Sequence, residues 1–424
     1  MKIFITGSTG FIGTHLVQRL VQTEHDIVCL VRHTSRVDEL ERLGVTLVLG
    51  DVTDRQSVLE GMKGCDWVMN LANVYTLWER DRGTYWKVNV EGTRNVMECA
   101  LQNAVKKVVH VSSAAVWGRP ARMPFTEDTE PGPERTSDYA RSKHEGDLIA
   151  WDLMRTKGLP LVMVYPAGVL GSGDTRYAGL YIRDLIQRRM PVLALTDTVM
   201  TFVHVKDVAD AIIRAAEKKN NIGEKYIIGR HMASIREFNE LISEVSRVRL
   251  PRLTIPVWLA RLNAFVLTGL AGLTGKPPLW GLSRDAVSML SEDVMADGSK
   301  AERELGITYT SLRQAIEDEI HPPKETMQPY RQRRYSRYRF SRDIMLQPEN
   351  MEHTLVRLKD ISRGGLFAET DRPLKEGMNV TAGFSEKMES FPVVKGRVLR
   401  KTDRGLAVQF TGGGAEHIPR LLSH

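Results

Sequence analysis

The sequence predicts an α/β chain: a doubly wound parallel sheet, a mixed and mainly helical lobe after it, and then a small all-β domain. Three observations carry this. From residue 2, the short β-branched runs "KIFIT", "DIVCLV", "VTLVLG", "DWVMNLA", "KKVVHVSS" and "LVMVYP" alternate with amphipathic stretches. Strands separated by helical stretches of about ten or more residues imply parallel βαβ crossovers. After about residue 170 the alternation loosens into a region running to "SLRQAIEDEI" at 311–320. Beyond the Pro-bearing, aperiodic segment "HPPKETMQPYRQ" the chain turns to the short runs "TLVRLKDIS", "GLFAET", "NVTAGF", "FPVVKGRVLRKT" and "GLAVQF". Gly, Pro and Asp punctuate them as in a small barrel or sandwich. The expected domains are 1–320, divided near 170 where the alternation loosens, a linker at 321–332, and a second domain at 333–424.

Composition sets the bounds. The chain has 424 residues, 42% apolar and 26% charged, the balance of a folded protein and not of a disordered one. Its net charge of +7 sits in the tail, where residues 322–424 hold 19 Lys and Arg against 12 Asp and Glu. Cys29, Cys65 and Cys99 are widely spaced, with no disulfide framework or metal-binding spacing, so no metal site is expected. The N-terminus starts a strand at once, and a cytoplasmic location with no transmembrane segment is expected. The most apolar region, 255–275, is interrupted by Arg261 and Asn263. It is expected to be a buried or pocket-covering helix and not a membrane-surface one.

"TGSTGFIG" places Gly7, Gly10 and Gly13, with Phe11 and Ile12, in the turn from the first strand into the first helix. Small residues there let a pyrophosphate approach the backbone N–H groups of a helix N-terminus. The second strand ends at Arg32 where an acid would hold the ribose 2′-hydroxyl of NAD. A guanidinium pairs instead with a 2′-phosphate, so NADP is expected over NAD. "DYARSK" sets Tyr139 and Lys143 four apart, on one face of a helix. An ammonium beside a phenol favours the phenolate and brings its pKa toward neutrality. Ser113, at the end of a strand, falls at the carboxyl edge of the sheet where ligands of open α/β sheets bind.

Together these motifs resemble the extended short-chain dehydrogenase/reductase family, with its NAD-dependent epimerase/dehydratase and dihydroflavonol reductase-like members, over residues 1 to about 320. The resemblance implies a Rossmann-type fold and hydride transfer between nicotinamide and a carbonyl or alcohol carbon. Ser113, Tyr139 and Lys143 would take the catalytic roles. Asp51 and Val52 of "GDVTD" would lie at the adenine and Ala72 of "NLAN" by the cofactor. Asn89 would take a supporting position, and Pro166 and Gly168 would lie near the nicotinamide. His204 and Asp207 of "FVHVKDVADA" are read as structural. Nucleotide-sugar members carry Arg-Asp-Phe where this chain has Met200-Thr201-Phe202, which argues against a UDP-sugar. Tyr75, Trp78, Tyr177 and Tyr181 are candidates to line an apolar pocket, and Trp117 is a candidate to reshape it. A homodimer is an expected assembly.

In the tail, "RQRRYSRYRF" followed by "DISRGG" resembles the PilZ domain, a receptor module for cyclic di-GMP. The resemblance assigns Arg333, Arg334, Arg337, Asp360, Ser362 and Gly365 to that ligand. Arginines pair with its phosphates and stack on its guanines, and Asp360 accepts from guanine N–H groups. The expected function is an oxidoreductase or epimerase regulated or localised by cyclic di-GMP. The alternatives are a catalytically silent cofactor-binding scaffold, or a basic tail that binds nucleic acid; nucleic acid is not the expected partner.

Overall fold

The computed structural model describes residues 1–276, 278, 283–323, 337–349, 351–362, 364–370, 374–383, 394–402 and 405–411. Twelve strands lie in the first 255 residues: β1 (Lys2–Thr6), β2 (Asp26–Val31), β3 (Thr46–Leu49), β4 (Trp67–Asn70), β5 (Lys107–Val111), β6 (Leu161–Pro166), β7 (Gly168–Leu170), β8 (Leu193–Ala194), β9 (Val199–His204), β10 (Lys225–Ile228), β11 (His231–Ser234) and β12 (Thr254–Ile255). The tail adds β13 (Arg337–Pro348), β14 (Thr354–Ser362), β15 (Gly365–Glu369), β16 (Asn379–Gly383), β17 (Val394–Thr402) and β18 (Gly405–Phe410). Two compact units form, one from Met1–Leu20 with Val52–Thr326, the other from Val21–Asp51 with Met327–His424.

In the first unit the main sheet is parallel, in the order β10-β6-β5-β4-β1. Its strands are apolar on both faces; Ile3, Phe4, Ile5, Val68, Val108 and Val162 are buried, as parallel strands covered by helices on both sides must be. The register sets Thr6 beside Asn70 and Asn70 beside His110. Polar side chains are thereby aligned toward the carboxyl ends of three neighbouring strands. The lobe holds a β11-β9-β7 sheet and a β12-β8 pair around a core that includes Leu170, Ile182, Phe202, Phe238, Ile242 and Ile316.

The helix Val257–Thr274 differs from the sequence expectation. Only Ala260, Ala264 and Ala271 of its eighteen residues are buried. Among the described residues it is the one helix long and apolar enough, by length and composition, to cross a membrane. Its apolar content alone suggested burial, yet the neighbouring elements cover only the alanine side.

The second unit contains the parallel pair β2–β3 and a six-stranded antiparallel barrel in the order β13-β14-β15-β18-β17-β16, closed by β16 on β13. Alternate residues fill it, among them Ile344, Leu346, Val356, Leu358, Val398 and Val408, with the period of two that barrel strands require. β13 also pairs in parallel with β3 through Arg337–Arg339, and the Tyr338 hydroxyl donates to Glu41 at 2.6 Å.

Candidate active site

The turn after β1 is built so that only glycine fits. Gly7 has φ +70°, and a Cβ there would lie 2.7 Å from the backbone of Leu71 and Ala72. A Cβ on Gly13 would lie 2.1 Å from the Gly7 carbonyl. Gly10 N–H closes the turn on that same carbonyl at 3.0 Å. The turn thus holds itself against the end of β4, where Ala72 N–H donates to Thr6 Oγ1 at 3.1 Å. Gly10 is exposed, and Phe11 and Ile12 are partly so, at the start of the helix Phe11–Leu20. The first N–H groups of a helix have no intrahelical acceptor, and the positive end of its dipole faces the turn. These are the properties a dinucleotide pyrophosphate needs, and no acidic side chain occupies the first turn to oppose it.

The proton-handling group comes from the helix Asp138–Lys157. Ser137 caps it, accepting from Ala140 N–H at 3.1 Å, and Gly158 ends it with φ 71°. This puts Tyr139 in the first turn, at the electropositive end of the helix dipole, and Lys143 one turn later. Both are buried, at 5% and 2% exposure. Burial pushes the Tyr139 phenol above its ordinary range, and its hydrogen bond with Ser113 pulls the other way. Ser113 caps the short helix Ala114–Trp117 and accepts from Ala115 N–H at 3.2 Å. Its own proton is therefore not needed for the cap.

Lys143 Nζ donates to the Val111 carbonyl at 2.9 Å. Burial lowers its pKa to about 8, with Asp147 acting in the opposite sense. Asp147 is a residue that sequence reasoning missed. It continues the i, i+4, i+8 face of Tyr139 and Lys143, is 3% exposed, and accepts from Ser112 Oγ at 2.7 Å. Its other oxygen faces His110 Nε2 at 3.5 Å. His110 in turn meets Asn70 Nδ2 at 2.9 Å, and Thr6 Oγ1 donates to Asn70 Oδ1 at 2.6 Å. Burial lowers the His110 pKa, so the neutral imidazole accepts from Asn70. A polar line thus runs from the glycine turn to the carboxylate one turn beyond Lys143. Thr6, Asn70 and Ser112 are hydrogen-bonded along this line, while His110 Nε2 and the Asp147 oxygen that faces it make no hydrogen bond.

Asn89 lies in a π-helical segment, Trp86–Gly92, of the kind often found at functional sites. It accepts from Val74 N–H at 2.7 Å and donates to Ser142 Oγ at 2.8 Å, so it ties the loop after β4 to the Tyr139 helix. Val52 is buried against Gly92. Pro166 ends β6 opposite Ile228, and Gly168 opens β7 opposite Phe202. Two expected cofactor residues belong to the second unit: Arg32 is exposed just past β2, in a turn whose Ser35 Oγ accepts from Arg32 N–H at 3.2 Å, and Asp51 is half-buried after β3.

Of the aromatic candidates, Tyr75 and Tyr177 gather at Tyr139. Ring centroids are 5.3 Å apart for Tyr75–Tyr139 and 5.0 Å for Tyr75–Tyr177, both edge to face. Leu77, Tyr85, Ala286, Val74 and Met289 complete an apolar wall. Trp78 is half-buried in the same segment. Trp117 and Tyr181 are instead core residues. Trp117 stacks on Phe125 and donates to the Thr129 carbonyl; Tyr181 stacks on Phe238 and bonds Asn239. His204 and Asp207, expected to be structural, make local contacts. His204 Nδ1 accepts from Lys206 N–H at the start of the helix Val205–Glu217, and Asp207 accepts twice from Thr310. Among the described residues no three His, Cys, Asp or Glu side chains group as a metal site.

In the tail, Arg333 and Arg334 lie outside the described residues. Arg337 opens β13 and meets Asp360 of β14 across the barrel wall, Nη1 to Oδ2 3.6 Å. Ser362 Oγ accepts from Gly364 N–H at 3.3 Å, and a Cβ on Gly365 would lie 2.2 Å from the Val408 carbonyl. Arg337, Asp360, Ser362 and Gly365 thus all sit on β13 and at the β14–β15 turn.

Comparison with known proteins agrees with this architecture. Residues 3–229 match the NAD dependent epimerase/dehydratase family, and residues 331–423 match the PilZ domain. The chain belongs to the NAD dependent epimerase/dehydratase family and carries a C-terminal PilZ domain. It is 30% identical to a putative dihydroflavonol 4-reductase of Synechocystis sp., over 75% of this chain and 93% of the relative. It is also 30% identical to sterol demethylase protein B of Methylococcus capsulatus, over 76% and 97%. The crystal structure of gox2253 superposes with a TM-score of 0.65 at 31% identity, covering 75% of this chain and 96% of that one.

Proposed function

We propose that this chain is an NAD(P)H-dependent reductase of a ketone carried on an apolar scaffold, and that cyclic di-GMP bound by the tail governs it. The observation that carries the reading is the setting of Tyr139: Ser113 lies close enough to its phenol to favour the phenolate, and Val74, Leu77, Tyr75, Tyr177, Ala286 and Met289 wall it. A sugar substrate needs polar partners there; this wall offers mostly carbon. The name of the Methylococcus relative, a sterol demethylase protein, points the same way.

The cofactor, when bound, supplies the hydride. The chain's own groups do the rest. Gly7, Gly10, Phe11, Ile12 and Gly13 would receive its pyrophosphate, with Asp51, Val52, Ala72, Asn89, Pro166 and Gly168 in the supporting positions of the family. Ser113 O–H donates to the ketone oxygen. Tyr139 O–H delivers the proton to that oxygen as it becomes an alkoxide, and the Lys143 ammonium stabilises the phenolate left behind. The apolar wall excludes water, which strengthens each of these interactions.

Arg32 carries the choice of NADP over NAD in this reading. Arg32→Glu should lower kcat/KM for NADPH at least tenfold while changing that for NADH little, in steady-state assays with both cofactors. An equal change for both would remove Arg32 from the 2′-phosphate.

For the tail, calorimetric titration of the full chain with cyclic di-GMP should show saturable binding. Arg337→Ala and Asp360→Ala should each weaken it by roughly ten- to a hundredfold, the value of one charge-assisted contact. Unaltered affinity in both variants would move the ligand off β13 and β14.

A further inference from the structure

We infer that the helix Val257–Thr274 is a docking surface for an anionic lipid bilayer, lying on the membrane and not crossing it. One face of the helix carries Trp258, Leu262, Phe265, Val266, Leu270 and Leu273, at the i, i+4, i+7, i+8, i+12 and i+15 positions of a single stripe. They are exposed by 66%, 53%, 62%, 51%, 52% and 87%. So large a contiguous apolar patch marks a surface with a partner. The opposite face, Ala260, Ala264 and Ala271, is the buried one. Ala260 and Ala264 pack with Val287 and Leu195 of the first unit. A helix held along one side by its own domain cannot thread a bilayer.

Charge identifies the partner. From residue 245 to 284 there are six basic residues, Arg247, Arg249, Arg252, Arg261, Lys276 and Arg284, and no Asp or Glu. All six are exposed. Apolar side chains that enter the acyl boundary, flanked by cations at headgroup depth, are what an anionic leaflet binds. A second copy of the chain fits less well, because a symmetric pairing of this face would set the same cations against themselves.

The neighbouring helix Arg284–Leu290 gives the surface a use. Val287 and Leu290 pack toward Ala260 and Ala264, while Ala286 and Met289 pack toward Leu77, Tyr85 and Tyr139. One short helix separates the docking face from the tyrosine. On the substrate reading above, an apolar ketone dissolved in lipid would have a short path to the site; the docking itself does not rest on that reading.

The test is co-sedimentation of the full-length chain with phosphatidylcholine vesicles, with and without about a third phosphatidylglycerol. Binding is expected to the anionic vesicles and to fall with added salt. Leu262→Gln with Phe265→Gln should cost at least tenfold in vesicle affinity. Arg249→Gln with Arg252→Gln should cost roughly tenfold or more on anionic vesicles only. Far-UV circular dichroism of each variant confirms that the fold is kept. No sedimentation with anionic vesicles would overturn the proposal. So would a dimer, by light scattering, that the Leu262/Phe265 variant converts to monomer without any vesicle binding.

Discussion

Replacing Tyr139 by Phe should lower the rate of ketone reduction by about 10²–10⁴-fold while leaving cofactor affinity within a few-fold of the parent. The phenyl ring keeps the edge-to-face contact with Tyr75 and the place in the apolar wall. What is lost is the hydroxyl beside Ser113 that, in the proposed mechanism, delivers the proton to the substrate oxygen. Tyr139 is 5% exposed, so bulk water cannot readily substitute as the acid. Single-turnover rates with pre-bound cofactor, beside a fluorescence titration of the cofactor, separate chemistry from binding. A variant within threefold of the parent rate would show that the proton comes from elsewhere.

Lys143→Met should lower the same rate by at least a hundredfold and leave stability near neutral pH almost unchanged. Two opposing effects set the stability. Burial holds the Lys143 pKa at about 8 against an ordinary 10.5, a cost of about 3 kcal/mol when the side chain is charged. The methionine relieves this cost but leaves the Val111 carbonyl, 2.9 Å from Nζ, without its donor, at about 1–3 kcal/mol. The pH dependence has a definite sign. Below pH 8 the lysine is charged in both states and the cost is present in full. Between about 8 and 10.5 the unfolded chain binds more protons than the folded one, so stability from this group rises with pH. On the proposed roles, activity in the reducing direction should move oppositely, falling above about pH 8 as the Lys143 ammonium is lost. Chemical denaturation and turnover at matched pH should therefore diverge over this range in the parent, and the stability rise should vanish in Lys143→Met.

The elements that sequence revealed are those whose information is local. β1 to β6 and their helices follow from hydrophobic period. Gly7 and Gly13 follow from a turn too tight for any Cβ, and Tyr139 and Lys143 follow from helical spacing. Asp147 was equally local, one turn further along the same face, but a carboxylate on a helix ordinarily faces water, and only the register of β1, β4 and β5 reveals why this one is buried. Trp117 and Tyr181 went to the core because an aromatic residue does not declare which side of its segment is open; that depends on Phe125 and Phe238, distant in sequence. The helix Val257–Thr274 misled for the same reason. Its composition states that it prefers carbon to water, and leaves open whether the carbon comes from the protein or from a bilayer.

The proposed reaction is hydride transfer to a ketone on an apolar scaffold. The most direct measurement is incubation with nicotinamide-deuterated NADPH and a panel of steroid, isoprenoid and 3-oxoacyl ketones, with Tyr139→Phe alongside, and mass spectrometry of the products. One deuterium is expected on the carbinol carbon of at least one product from the parent, and about a hundredth as much or less from the variant in the same time. Cofactor binding without deuterium in any product across the panel would contradict it, and would leave the family fold here as a cofactor-sensing scaffold behind its PilZ domain.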